Sequence, residues 1–173
     1  IWLHAHRAEI AIEIALRKED VWAPDSLYLA LPLDLPGWDM SFDTMGTPTR
    51  VDSEQLTGSS KDWVTVSGYA DVHNAHGGVT LACPDMPLVM TGSFTFGKRQ
   101  MVIDRSGKPL LLAWLYNNYW TTNFRVSQPG YLRYRYELAT HAGFDPINAA
   151  HVAAVARGPL LAHPLVDAPQ AGS

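Results

Sequence analysis

The stretch LLLAWLYNNYWTTNFRVSQPGYLRYRYEL, residues 110–138, decides how the rest of the chain is read. Its last part is the plainest. After the Gln128-Pro129-Gly130 turn, Leu132, Tyr134, Tyr136 and Leu138 alternate with Arg133, Arg135 and Glu137. Successive side chains of a strand point to opposite faces, so this is a strand with one apolar and one charged face. The first part opens on an unbroken apolar run over 110–115 and continues through Asn117, Asn118, Tyr119, Trp120, Asn123 and Phe124. A strand facing only water needs few rings beside carboxamides. This half is therefore expected to be packed against something, or to bind it.

Working outward, period-two signals recur upstream. Over 8–17, Ile10, Ile12, Ile14 and Leu16 fall on one side and Glu9, Glu13 and Arg17 on the other, which predicts a strand with one wet face. Over 27–33, four leucines alternate with Tyr28, Ala30 and Pro32. Both faces are apolar, which predicts a central strand, with Pro32 placed where no ladder bond is lost. Residues 37–61 are polar and broken by Gly46, Pro48 and Gly58, which is about as long as loops get unless they contain short strands or carry function. Further strands are expected over 63–72, 79–83, 88–90 and 93–96, with turns at 74–78 and 84–87 and a hairpin loop at 105–108. One helix is expected, with Asp145 as N-cap, Pro146 at its first position, 147–157 as its body and Gly158-Pro159 as its stop. About eight or nine strands and one late helix make an all-β chain, a β-sandwich. The fold is expected to span 1–163 as one domain, with 164–173, rich in Pro, Ala and Gly, a loosely held tail.

Composition narrows the function classes. A chain of 173 residues buries a core without staples. Hydrophobic residues reach 47 % and charged residues only 17 %, which suits a face meant for another domain. The net charge is −4 and no basic cluster occurs, which argues against a nucleic-acid partner. No apolar stretch approaches the about 18 residues of a membrane helix. The single cysteine, Cys83, excludes an internal disulfide framework, and that lack leans towards the cytoplasm. The chain begins at Ile1 without a signal series and reads as a piece of a longer polypeptide.

There is no Gly-rich phosphate loop, no Gly-x-Ser-x-Gly elbow and no Cys-x-x-Cys pair. Cys83 follows Val79, Leu81 and Ala82 and reads as a buried thiol. His4 and His6 share a strand face at a spacing that suits a metal, but no third ligand lies near in sequence, so no metal site is assigned. His73 and Asn74 stand in a donor-rich turn after Asp71; they are candidate ligand contacts, against the plainer reading that Asp71 and Asn74 cap the turn. The aspartates sit beside Gly, Pro, Ser or Thr, as turn residues do, and name no catalytic pair. Asn117, Trp120 and Asn123 are candidate sugar contacts, since carboxamides pair with adjacent hydroxyls while a ring covers the apolar face of a sugar. The competing reading makes Trp114 and Trp120 core or interface rings and the asparagines partners of loop backbone.

The run Asn117-Asn118-Tyr119-Trp120-Thr121-Thr122-Asn123-Phe124, with Gly130 and the alternation from Tyr131 to Tyr136, resembles the late β-region of glycoside hydrolase family 38, the α-mannosidases. LYLALP at 27–32, QLTGSSKDW at 55–63, GGVTLA at 77–82 and DMPLV at 85–89 are similar to that family's strands and loops in the same order. The resemblance covers roughly 23–161 as a series of modest motifs. It implies a β-sandwich of the galactose-mutarotase-like (supersandwich) type, cut from the C-terminal part of a retaining α-mannosidase-like enzyme. It also implies that the aspartate nucleophile and the zinc ion belong to an N-terminal catalytic domain, so no catalytic or zinc residue is carried onto this chain. The expected partners are that domain and a mannose-type carbohydrate. The expected function is a non-catalytic C-terminal domain that packs on the catalytic domain and contributes to the rim of its sugar pocket, through an apolar patch drawn from Trp114, Tyr119, Trp120 and Phe124. Two alternatives stand beside it: an autonomous carbohydrate-binding module with an exposed platform of rings, and a mutarotase-like enzyme using His73 with Asp71 as acid and base.

Overall fold

A computed structural model of the chain describes residues 1–91, 101–119 and 125–158. The strands are β1 (Trp2–Leu3), β2 (Glu9–Lys18), β3 (Ser26–Pro32), β4 (Asp39–Thr44), β5 (Thr47–Arg50), β6 (Trp63–Thr65), β7 (Tyr69–Asn74), β8 (Gly77–Ala82), β9 (Leu88–Thr91), β10 (Leu110–Asn117) and β11 (Gly130–His141), followed by α1 (Pro146–Arg157). They form two antiparallel sheets. The larger has seven strands in the order β1-β2-β11-β8-β7-β4-β5, and the smaller has four, β3-β10-β9-β6. The chain is an all-β sandwich with one short helix near its C-terminal end.

Alternation sets the layers. Met40, Phe42, Ala70, Val72, Leu81, Tyr134 and Tyr136 of the large sheet meet Val64, Val89, Leu111, Ala113 and Leu115 of the small one in a continuous core. The opposite face of the large sheet holds a second, smaller cluster. There Tyr69, Ala82 and Ala139 pack under Ala149, Val152 and Ala153 of α1. The helix begins where expected: the Asp145 side chain accepts from the Ile147 N–H, Pro146 takes the first turn, and Gly158 ends it. Its buried face is built of small residues, which lets it lie close to the strands. A Cβ placed on Gly68 would already be 2.9 Å from that of Ala153.

The structure refines three expectations. The stretch 37–61 is long because it contains short strands: β4 and β5 form a hairpin inside it through Met45 and Gly46, both at positive φ (51° and 80°). That is the turn whose twist matches a two-residue hairpin, here with Met in place of the usual Asn or Asp. The strand expected over 63–72 is broken: β6 belongs to the small sheet and β7 to the large one. The chain changes sheet at Gly68, where the Asp43 carboxylate accepts from the N–H groups of Gly68 and Tyr69, both at 2.8 Å. Finally, among the described residues β3 is an edge strand, bonded only to β10; Pro32, which donates no hydrogen bond, is at home there. The strand expected at 93–96 and the tail at 164–173 lie outside the described residues.

Among the described residues no helix is long and apolar enough to cross a membrane. The helix packing carries a prediction. Ala153→Leu should destabilise the chain by about 1–3 kcal/mol through overpacking, whereas Val155→Ala on the exposed side should stay within about 0.5 kcal/mol. Urea unfolding measures both.

Candidate functional site

On the helix-bearing face of the large sheet, β7, β8 and β11 lie side by side, with Asp71 opposite Thr80 and Thr80 opposite Ala139. One pleat further on, His73 and His141 both pair with Gly78. A glycine between them leaves an empty place on the sheet, and the two imidazoles close over it towards Asp71. A Cβ at position 78 would lie 2.4 Å from the Val72 carbonyl oxygen and 2.7 Å from both the His73 Cβ and the His141 Cε1, so no larger residue fits without displacing backbone.

The Asp71 carboxylate has no solvent exposure. Its Oδ1 meets His73 Nδ1 at 2.9 Å. Its Oδ2 accepts from the Thr80 hydroxyl at 2.5 Å and meets His141 Nε2 at 2.9 Å. Three donors satisfy a buried carboxylate that would otherwise be costly. In a neutral His73 ring the bond to Asp71 places the proton on Nδ1 and the lone pair on Nε2. His73 also stacks on Phe144, with ring centroids 4.4 Å apart and planes 2° from parallel. His141 lies deeper, and its Nδ1 is buried without a hydrogen-bond partner. Tyr69 lies at the base of this face, where burial first and then the carboxylates of Asp43, Asp71 and Asp145 push its hydroxyl up to about 12.

His73 faces an open groove of about 500 Å³ that is also lined by Ser41, Pro48, Thr49, Arg50, Glu54, Phe144 and Pro146. The wall is neutral in sum, since Arg50 and Glu54 are both present and Arg50 is paired to Asp39. Asp39 is shared with Arg105, which also pairs with Asp52, a residue at positive φ (71°). Burial alone would raise the Asp39 carboxyl, but the Met40 N–H and the guanidinium groups of Arg50 and Arg105 outweigh it and hold the group below its ordinary value. An imidazole with a fixed tautomer beside a carboxylate and hydroxyls can bind a hydroxyl-bearing ligand or move a proton on one.

The structure separates the other candidates from this groove. Asn74 spends both ends of its side chain on backbone: Nδ2 donates to the Pro36 carbonyl and Oδ1 accepts from the His76 N–H, each at 2.8 Å. It caps the turn as the plainer reading has it, whereas Asp71 points into the cluster instead. Asn117 ends β10, far from the groove in the sheet order, and its Oδ1 accepts from the Tyr119 N–H at 3.3 Å. Its neighbour Asn118 is a buried clamp, accepting from the Asp25 N–H and donating to the carbonyls of Val21 and Ala23. Trp120, Asn123 and Phe124 lie outside the described residues. Trp114 is not part of a surface patch; it is 4 % exposed and stacks with Trp63 and Tyr28 on the small sheet. Thr80 and His141 escaped the reading of the sequence because nothing local joins them to Asp71. Burial of the Cys83 thiol fits the sequence, and the same burial raises its pKa far out of the reactive range.

Two predictions follow from this geometry. Asp71→Ala should cost about 3–5 kcal/mol because it leaves two half-buried imidazoles and the buried Thr80 hydroxyl without their acceptor, against about 1 kcal/mol for Asn74→Ala, both read by urea unfolding. A depressed carboxyl stabilises the fold above its unfolded pKa of about 3.9 and loses that contribution as pH falls through the folded value. The urea midpoint should therefore drop below about pH 4, and Asp39→Asn should be less stable at neutral pH but lose less on acidification. Compared with known proteins, the chain matches no family model and no curated protein, so the function has to be argued from the residues and their arrangement.

Proposed function

We propose that this chain is a non-catalytic β-sandwich domain of an α-mannosidase-like glycoside hydrolase, docked on the catalytic domain of the same polypeptide. The order of motifs along the chain supports the family, and the sandwich is the architecture that the family implies. The observation that carries the docking is the open side of the sandwich. There, among the described residues, β3 is the edge of the small sheet, and β2 is the second strand of the large one, covered by β1 only at Ile10 and Ala11. Ile12, Ile14 and Leu16 of β2 and Leu27, Leu29 and Leu31 of β3 are only partly buried, although they belong to the core. Apolar side chains and unpaired edges invite a further layer of protein. Trp22, in the connection between these strands, is 70 % exposed. In this reading the zinc and the nucleophile stay in the catalytic domain, and the His73 groove is this domain's contribution to carbohydrate contact.

One observation favours a second reading. The Asp71–His73 pair opens on a groove with Glu54, an arrangement suited to proton transfer at the anomeric centre of a sugar, as in a mutarotase-like enzyme. An autonomous carbohydrate-binding module draws less support, because the rings of Tyr28, Trp63 and Trp114 pack on one another in a compact cluster in which Trp114 is buried, rather than forming an open platform.

A chromogenic α-mannoside should be hydrolysed by the parent polypeptide, with activity lost on zinc chelation, and not by this chain alone; turnover by the isolated chain would overturn the non-catalytic assignment. Trp22→Ala should change the stability of the isolated chain by less than about 0.5 kcal/mol but lower the melting temperature of the parent. The second reading stands or falls with polarimetry: the isolated chain should speed mutarotation of a fresh aldose, and His73→Ala should abolish the effect.

A further inference from the structure

Several carboxylates stand on or beside the outward face of β2 and β11, and nearly all have an arginine. Glu13 is paired with Arg133, Asp85 with Arg135 at 2.8 Å, and Glu9 with Arg7 at 2.9 Å. Glu137 is the exception: among the described residues its ionic partner is His4, whose Nε2 lies 2.7 Å from Glu137 Oε1. The contact is close but not aligned for a hydrogen bond, and this carboxylate oxygen is out of reach of water with no donor of its own. A buried carboxylate oxygen without a donor is costly.

The two glutamates are forced together by register. Glu9 lies opposite Ala139 and Glu137 opposite Ala11 on adjacent antiparallel strands, which sets both carboxylates on one face as diagonal neighbours. His4 is brought to them by the pairing of Leu3 with Ile10 and by its own N–H, which donates to the Glu9 carbonyl at 3.3 Å. One ligand atom from each of His4, Glu9 and Glu137 lies within 4.8 Å of the others. His6, its expected companion, is not in the group.

We propose that His4, Glu9 and Glu137 form a divalent transition-metal site of the zinc type, with one imidazole nitrogen and two carboxylate oxygens as ligands and further coordination positions left to water. The chemistry fits: imidazole with carboxylates suits zinc, three protein ligands leave an open position, and two carboxylates balance the charge of a divalent ion. The ladder of β2 and β11 holds the two glutamate backbones, and the His4 N–H bond to the Glu9 carbonyl holds the third, so little ordering is needed on binding. Arg7 is the cation now nearest, 3.0 Å from His4 Nδ1 as well as bonded to Glu9. It sits outside the strands with a half-exposed side chain, and it competes with the metal for Glu9. This site is independent of the mannosidase-like reading and of any zinc in a catalytic domain.

Isothermal titration of the chain with zinc chloride at pH 7.5, in a buffer that does not bind metal, tests it. One saturable site is expected. His4→Ala and Glu137→Gln, both at partly exposed positions, should each weaken binding by more than about tenfold. Arg7→Gln should tighten it by up to about fivefold, because the competing charge is gone; a merely structural role for the cluster would not produce that gain. Magnesium should give no comparable binding, since a site with an imidazole ligand does not suit so hard an ion. No saturable zinc binding, binding that survives both ligand substitutions, or an equal response to magnesium would each overturn the proposal.

Discussion

A carboxylate cut off from water has to find all its hydrogen bonds inside the fold, and Asp71 is that carboxylate here. Its three donors come from β7, β8 and β11, the middle strands of the large sheet. The arrangement fixes more than one residue. Gly78 must stay without a side chain so that His73 and His141 can lean together. Phe144 then stacks on His73 just ahead of the Asp145 cap, so the start of α1 is tied to the same cluster. A polar knot at this point sets the register of three strands and the position of the helix, which apolar packing alone specifies less sharply.

Around the knot, the two layers have unequal widths, and that inequality shapes the surface. Among the described residues seven strands face four, and the sandwich stays open towards β2 and β3, whose core side chains are only partly buried. Lys18 at the end of β2 shows how the end of the core copes with charge: it is buried, lies 4.3 Å from the centre of the Tyr116 ring, and reaches Asp25 at 3.4 Å. Asn118 closes the same corner by holding three backbone groups of the connection between β2 and β3. Polar residues thus finish the ends of the core, while the open side is finished with leucine and isoleucine.

Much of the fold was legible because its elements are local patterns. The alternation in β2 and β11, the apolar run of β10 and the Asp145-Pro146 start of α1 each announce themselves within a few residues, and each forms where expected. The hairpin of β4 and β5 was not legible, because its turn uses Met45 at positive φ and Met carries no such signal. Neither was the break at Gly68, which depends on the Asp43 carboxylate reaching across from another strand. The pairing of Asp71 with His73 is half legible, since residues two apart on a strand share a face. Thr80 and His141 become neighbours only through strand pairing.

The sequence by itself determined the all-β character, the place of the helix and the residues able to do chemistry, because these follow from periodicity, capping and side-chain type. Only the tertiary structure decided which of those residues meet. His4 joins Glu9 and Glu137 rather than His6, Asn118 becomes a clamp, Trp114 is buried, and β3 becomes an edge. The physical reason is the same in each case: a side chain's face is set by its own strand, but its neighbours are set by the order of strands in the sheet, and that order is fixed by contacts between residues far apart along the chain.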